Sequence, residues 1–351
     1  MDTLIHPSDI DAWHRWEDAQ LPLGARLHRW AGVLRDIARP DSRAGQVVVT
    51  RGGPDPRLLV CLESLSPTSV KALLHPLRDV HPEQVAVVAP VGVRDLLPPW
   101  TWTERTGLSL DLVPPLAADA GLVLSTGHSR PLGRAAQAAV DPHRFVTVQH
   151  GLLTPHAAPL APGTTLLAWS EADAQFWRSG REDVTSRVVG SQLLWEAAEP
   201  PPADVDPQAH PVFLGQLHAS ELPRGVLTRA AEAFCLAEHA TYRPHPSESD
   251  RRALATHARW EAKGIAVDRS GIPLHELGAP VVSVFSAGVL EAAAAGLPAW
   301  VALTDPPQWL RDFWTRYGMA EWGGPPTAPP EHPGMEPSRA VADALRAMMD
   351  R

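Results

Sequence analysis

Between residues 46 and 169 the chain alternates short, mainly apolar runs with polar and helix-period stretches. The runs fall at 46–50, 58–62, 85–89, 108–113, 122–125, 145–148 and 166–169; they are rich in Val and Leu and stop at Gly, Pro, Ser or His. Continuous apolar strands of this length have both faces buried, which is the habit of parallel sheets covered by helices. Several runs lead into helical patterns. Ser170, Glu171, Ala172 and Asp173 form a capping box that opens a helix through Phe176 and Trp177. Ahead of the first run, Trp13, Trp16, Leu21, Leu27, Trp30, Val33, Leu34 and Ile37 recur at helical spacing, which predicts one or two amphipathic helices.

The stretch 197–210, AAEPPPADVDPQAH, crowds prolines and acids together and reads as an interdomain linker. A second strand–helix series follows. Strands are predicted at 211–215, 240–243, 265–268, 281–285 and 299–302, and helices at 223–238, 248–263, 273–277 and 287–295. A Pro-rich stretch, 325–337, precedes a final amphipathic helix near 339–349. The pattern thus predicts an α/β protein of two Rossmann-like parallel-sheet domains facing a cleft. Residues 1–45 form a helical segment packed on the first domain, 46–198 the first domain, 211–330 the second, and 337–351 a C-terminal helix. In open α/β sheets the ligand sits outside the carboxyl ends of the strands.

Composition narrows this only slightly. A chain of 351 residues suits two domains. With 31 Lys+Arg against 40 Asp+Glu the net charge is −9, which argues against coating nucleic acid. Cys61 and Cys235 sit in apolar runs and read as buried thiols, too few for a disulfide framework or a Cys-based zinc site. The acidic, polar start is unlike a signal peptide, and no apolar stretch approaches ~18–20 residues. These features predict a cytoplasmic protein, with room for peripheral association at the inner face of a membrane.

Five segments could carry chemistry. In 281–300, VVSVFSAGVLEAAAAGLPAW, a buried strand runs into Ser286 and then a helix of small residues. Ser286 would stand where free amides favour a phosphate, Ala287 and Gly288 would leave that end open, and Glu291 could accept from ribose hydroxyls. An N-capped helix with one solvated Glu would look the same. In 242–248, His245 stands between Pro244 and Pro246 at the end of a strand, so Arg243 and His245 could donate to a diphosphate. A Pro-rich turn with a surface histidine is the alternative. In 146–152, His150 projects from the carboxyl end of a strand and Gly151 would permit a sharp exit. A histidine there can take a proton from an acceptor hydroxyl, or can simply be satisfied by nearby backbone. Gly215 and Gln216 end the first strand of the second domain, and Gly127, His128 and Arg130 close another strand of the first.

The spacing of Ser286, Glu291, Ala292, Ala294, Gly296 and Pro298 resembles the nucleotide-binding signature of the GT-B glycosyltransferase superfamily. Arg243, His245 and Pro246 resemble the R-x-H-P motif of the CDP-glycerol polyol-phosphate transferases, and the H-P motif of capsule transferases of the Kdo and sialyl type. His150 and Gly151 resemble the H-G motif of the capsule and teichoic-acid polymer transferases. The resemblance implies that the second domain binds a nucleotide donor through Gly215, Gln216, Arg243, His245, Pro246, Ser286, Ala287, Gly288 and Glu291. His150 is then the general base, and Gly127, His128, Arg130 and Gly151 line the acceptor side. A CMP or CDP donor is implied first and UDP second, with a saccharide or polymer as acceptor. No separate cofactor is implied beyond the nucleotide-activated donor.

Three departures stand out. Ser286-Ala287 replaces the paired Ser or Thr common in the polyol-phosphate group, and the acidic-acidic-Gly motif of one sialyltransferase group is not evident. No Asp-x-Asp ends a strand, since Asp204-Val205-Asp206 lies in the linker stretch. The expected reaction is therefore inverting, metal-independent transfer of a sugar or polyol-phosphate to a hydroxyl of a cell-surface polysaccharide or its precursor. A UDP-sugar 2-epimerase-like isomerase and a catalytically silent nucleotide-binding subunit stay open on the same scaffold.

Overall fold

The structure, a computed structural model, describes residues 3–20, 46–201, 204–206 and 208–350. The chain divides into two compact units, residues 1–192 with 333–351, and residues 193–332.

The first unit is built on β1 (Gln46–Arg51), β2 (Leu58–Cys61), β3 (Val85–Ala89), β4 (Thr103–Ser109), β5 (Val123–Ser125), β6 (Phe145–Val148), β7 (Thr165–Ala168) and β8 (Thr185–Val188). They form one eight-stranded sheet in the order β4-β1-β3-β2-β5-β6-β7-β8. The six strands from β3 to β8 in that order run parallel. Leu58 and Val60 point into one apolar cluster while Leu59 and Cys61 point into another, so the central strands are buried on both faces. Strand β1 departs from the all-parallel expectation, pairing antiparallel with both β3 and β4. Only a short turn joins β1 to β2, and a parallel crossover needs a dozen or more residues. The run 108–113 is likewise no strand of its own. Leu108 and Ser109 end the exposed edge strand β4, and Pro114 and Pro115 then open a helix over Val113–Ala120, where missing amides do no harm.

Helices Val113–Ala120 and Pro131–Gln137 cover one face of this sheet. The C-terminal helix Pro337–Met349 covers the other, through Val341, Ala342, Leu345 and Met349. The helix Ile10–Gln20 packs on the same unit. Trp13 Nε1 donates to His156 O at 2.7 Å, and Trp16 stacks on the His156 ring at 4.5 Å. Leu21, Leu27, Trp30, Val33, Leu34 and Ile37, also read as helical, lie outside the described residues.

The second unit carries β9 (Val212–Leu214), β10 (Thr241–Arg243), β11 (Val281–Ser283) and β12 (Ala299–Val301), all parallel, in the order β10-β9-β11-β12. Parallel bridges from Tyr242 to Val267 and from Val301 to Glu321 extend both edges. Counted in chain order the positions run 3-2-1-4-5-6, the dinucleotide-fold order. The strand expected at 265–268 shrinks to the Val267 bridge, because Asp268 turns the chain by accepting from the Ser270 amide at 2.8 Å. The helix expected from 248 starts at Arg251, where the Asp250 side chain caps the amides of Arg252 and Ala253. The stretch read as a linker belongs to the second unit, where the Asp206 amide donates to Gly278 O at 3.1 Å. No helix among the described residues is long and apolar enough to cross a membrane.

Candidate functional site

In each sheet strand order reverses next to the first parallel strand, and that switch is where open α/β sheets take ligands. In the first unit it lies between β2 and β5. Glu63 follows β2, and its carboxylate accepts from the Gly133 amide at 2.8 Å, at the start of helix Pro131–Gln137. Burial pushes the Glu63 carboxyl above its usual range, against the pull of the Gly133 and Leu132 amides. Gly127, after β5, has φ +143°, which only glycine adopts freely. His128 is buried, and its Nδ1 meets no hydrogen-bond partner among the described residues. Burial, then the charges of Arg134, Arg181 and His14, push its pKa down to about 4. Arg130 pairs with Glu17 of the first helix and lies 6.0 Å from the Trp13 ring centre, so its charge is already matched inside the unit.

One strand further along, His150 follows β6 and is half-buried. Burial lowers its pKa to about 4, so the ring is neutral at pH 7 and has a lone pair to offer. The turn that presents it is held by Gln149, a residue sequence reasoning passed over. Gln149 is buried; its Oε1 accepts from Trp169 N at 2.8 Å, its Nε2 donates to Gly151 O at 3.0 Å, and its backbone oxygen accepts from Trp169 Nε1 at 2.9 Å. The expectation for Gly151 is corrected. Its φ is not positive and an added Cβ would meet nothing within 4 Å, so no backbone demand for glycine explains it.

In the second unit the switch lies between β9 and β11. Gln216 bridges it from beneath, its Oε1 accepting from Ser283 Oγ at 3.0 Å and Phe285 N at 2.9 Å. That oxygen therefore braces the two strand ends. Ser286 Oγ accepts from Gly288 N at 3.1 Å, at the entry to helix Gly288–Ala294, with Ala287 at its cap. Gly288 serves packing as well as access, because a Cβ there would stand 2.5 Å from Leu214 Cδ1. Glu291 lies half-buried in the same helix.

Next to this switch, β9 and β10 deliver two histidine rings to one place. His218 and His245 stack with centroids 3.9 Å apart and planes at 21°. His245 Nδ1 accepts from the Ser247 amide at 3.1 Å, which puts the proton of the neutral ring on Nε2, a donor on an exposed side chain. Desolvation lowers the His245 pKa against the pull of Glu248; desolvation and His245 together lower that of His218 to about 4. Pro246 is exposed beside them. Arg243 is engaged elsewhere, its guanidinium donating to Ile272 O and lying 3.5 Å from an Asp268 carboxylate oxygen. Gly215 is required by its neighbours, since a Cβ would come within 2.3 Å of Tyr242 Oη and 2.6 Å of Glu248 Oε1. In this unit His218 and Glu248 are further residues the sequence reading missed. Both sit in the segments it singled out, but a ring stack and an inward-turned carboxylate leave no trace in spacing.

Among the described residues no three His, Cys, Asp or Glu side chains gather as a metal site. No protein-family model matches the chain, and no curated protein matches its sequence. Solved structures with a similar outline include a glycosyltransferase from Rickettsia africae, 12% identical, with 84% of this chain and 88% of that one covered and a TM-score of 0.43. A Thermobaculum terrenum O-GlcNAc transferase mutant is 14% identical over 85% of this chain and 63% of that one, with a TM-score of 0.38. Anabaena HepE in complex with UDP is 15% identical over 84% and 90%, with a TM-score of 0.43.

Proposed function

We propose that the protein is a nucleotide-dependent transferase of the GT-B kind, with its donor in the second unit and its acceptor in the first. The observation that carries this reading is the fixed tautomer of His245. With Nδ1 occupied by the Ser247 amide, Nε2–H is held as a donor at the carboxyl ends of β9 and β10. Such a donor suits a phosphate oxygen that gains charge as a bond breaks. The ring beside it, His218, can share that charge, and Ser286 and Glu291 supply hydroxyl and carboxylate at the neighbouring strand end for phosphate and ribose. Since Arg243 is matched by Asp268, the two imidazoles carry the compensation that the sequence alone assigned partly to Arg243.

His150 takes the proton of the acceptor hydroxyl. The acceptor oxygen attacks the sugar carbon or the polyol phosphorus, and the bond to the nucleotide phosphate breaks with its electron pair leaving on that phosphate. Attack opposite the leaving group inverts a sugar donor. A cation is not needed for this scheme. The resemblance of Arg243–Pro246 to the cytidine-dependent transferases puts CMP or CDP ahead of UDP, and a saccharide or surface polymer as acceptor. A nucleotide-binding subunit without turnover is the second reading, favoured by the low basicity of His150.

A thermal-shift panel of CMP, CDP, UDP, GDP and ADP tests the donor. A ligand at ~100 times its Kd stabilises by about 2.7 kcal/mol. A cytidine nucleotide should give the largest shift, and no shift with any of the five sinks the reading. Release of free nucleotide only when an acceptor is added separates transfer from silent binding.

A further inference from the structure

Beneath the histidine stack lies a buried acid that the proposed chemistry does not use. Glu248 is 4% exposed, and the residues around it, Tyr242 and His257, are each 1% exposed. Its Oε1 accepts from the Leu217 amide at 2.9 Å. Its Oε2 accepts from Tyr242 Oη at 2.8 Å and lies 3.0 Å from His257 Nε2. Its own amide donates to His245 O at 2.8 Å. One carboxylate therefore holds the residue just before His218 and, through its own backbone, closes the turn that carries His245. The same carboxylate explains why Gly215 has no room for a side chain.

Burying a carboxylate is unfavourable even when it is fully hydrogen-bonded, and an apolar side chain of the same volume often serves stability better. What a satisfied buried network supplies is a unique geometry. Here the geometry at stake is the alignment of two loops that leave adjacent strands. Without a shared anchor each loop would carry its histidine independently, and neither the ring stack nor the Ser247 contact would be set.

We propose that Glu248 is a positioning residue of the donor site, holding the loops of His218 and His245 in one stack so that His245 presents Nε2–H. The inference rests on the donor reading above. It concerns a residue that never touches the nucleotide, so it predicts a change in the state of His245 even with no ligand present.

The test compares the full-length protein with Glu248→Gln, which keeps the shape and removes the charge, and with Tyr242→Phe, which removes one donor. Imidazole ¹⁵N shifts of the ligand-free protein report the His245 tautomer, and titration with CMP and CDP reports affinity. In the parent, Nε2 should be the protonated nitrogen. In Glu248→Gln the two tautomers should mix and the affinity fall about tenfold, with the donor KM rising and the acceptor KM unchanged. Tyr242→Phe should move both readouts in the same direction and less. A folded Glu248→Gln protein with the parental ¹⁵N pattern overturns the inference. If Glu248→Gln does not fold, an unchanged pattern in Tyr242→Phe does so. His245→Ala separates the two ideas. If it leaves nucleotide affinity unchanged, the donor reading fails, while the ¹⁵N pattern still judges Glu248.

Discussion

At the switch point of the first sheet the strand end is filled by a carboxylate; at that of the second it is filled by a neutral amide. Glu63 accepts from the Gly133 amide, so a carboxyl already occupies the start of helix Pro131–Gln137. Gln216 accepts from Ser283 and Phe285 and braces the second switch with a neutral side chain. The two units share strand logic but brace their switch points differently, with a carboxyl in the first and an amide in the second. Beside each plug stands a histidine whose pKa is lowered. In the first unit this is His128, and one strand further along stands His150, a neutral ring on a turn held by Gln149. In the second it is the stacked pair His218 and His245, with a donor nitrogen held outward. Hydrogen bonding thus distinguishes the proposed base from the proposed donor site.

Removing His150, the proposed base, should have the largest effect. His150→Ala is expected to cut turnover about 10²-fold or more while nucleotide affinity stays near the parental value. Steady-state kinetics and a binding titration check it together, and equal loss in both would make His150 part of the scaffold and erase the contrast.

The pH dependence sharpens the comparison next. With His150 lowered to about 4, its neutral ring is present throughout the range above, so if it is the base, kcat/KM should stay flat from about pH 5 upward and fall only near pH 4. An acid limb between pH 6 and 7 would mean an ordinary, solvated histidine. Stability follows the same sign. His128, ordinary value 6.5 and about 4 when folded, binds its proton more readily in the unfolded chain. Stability is therefore complete above pH 6.5 and declines as pH falls toward 4, by about 1–3 kcal/mol for a group this buried. Urea midpoints across that window should fall less steeply in His128→Gln, with the declines due to His150 and His218 remaining.

The smallest effect tests the plugs themselves. Glu63→Gln should change stability by less than about 1 kcal/mol, because the amide oxygen still accepts from the Gly133 amide, and leave nucleotide affinity unchanged. A gain of phosphate or nucleotide binding by the first unit would show that charge alone had kept the anion out.

Much of this was legible in the chain. The apolar runs at 58–62, 85–89 and 145–148 became buried parallel strands because an uninterrupted run has no polar face to expose. Segments ending in His150, His245 and Ser286 did lie at strand ends, since a polar or proline residue after such a run must leave the sheet. Less legible was the direction of β1, whose pairing depends on which neighbour is free. The run 108–113 misled because two prolines outweigh four apolar residues. The roles of Gln216, Arg243 and Gly288 also escaped. A side chain at a strand end can face a ligand or a neighbouring strand, and spacing along the chain is the same in both cases.

The sequence by itself determined where strands end and which residue types stand there, because burial and turn chemistry are local. Only the tertiary structure decided which of those residues were already matched by Asp268, Ser283 or Glu17 and which, like His245 Nε2, stayed free to donate. Hydrogen-bond partners distant in the chain compete for the same few polar atoms, and that competition is settled only when the strands are side by side.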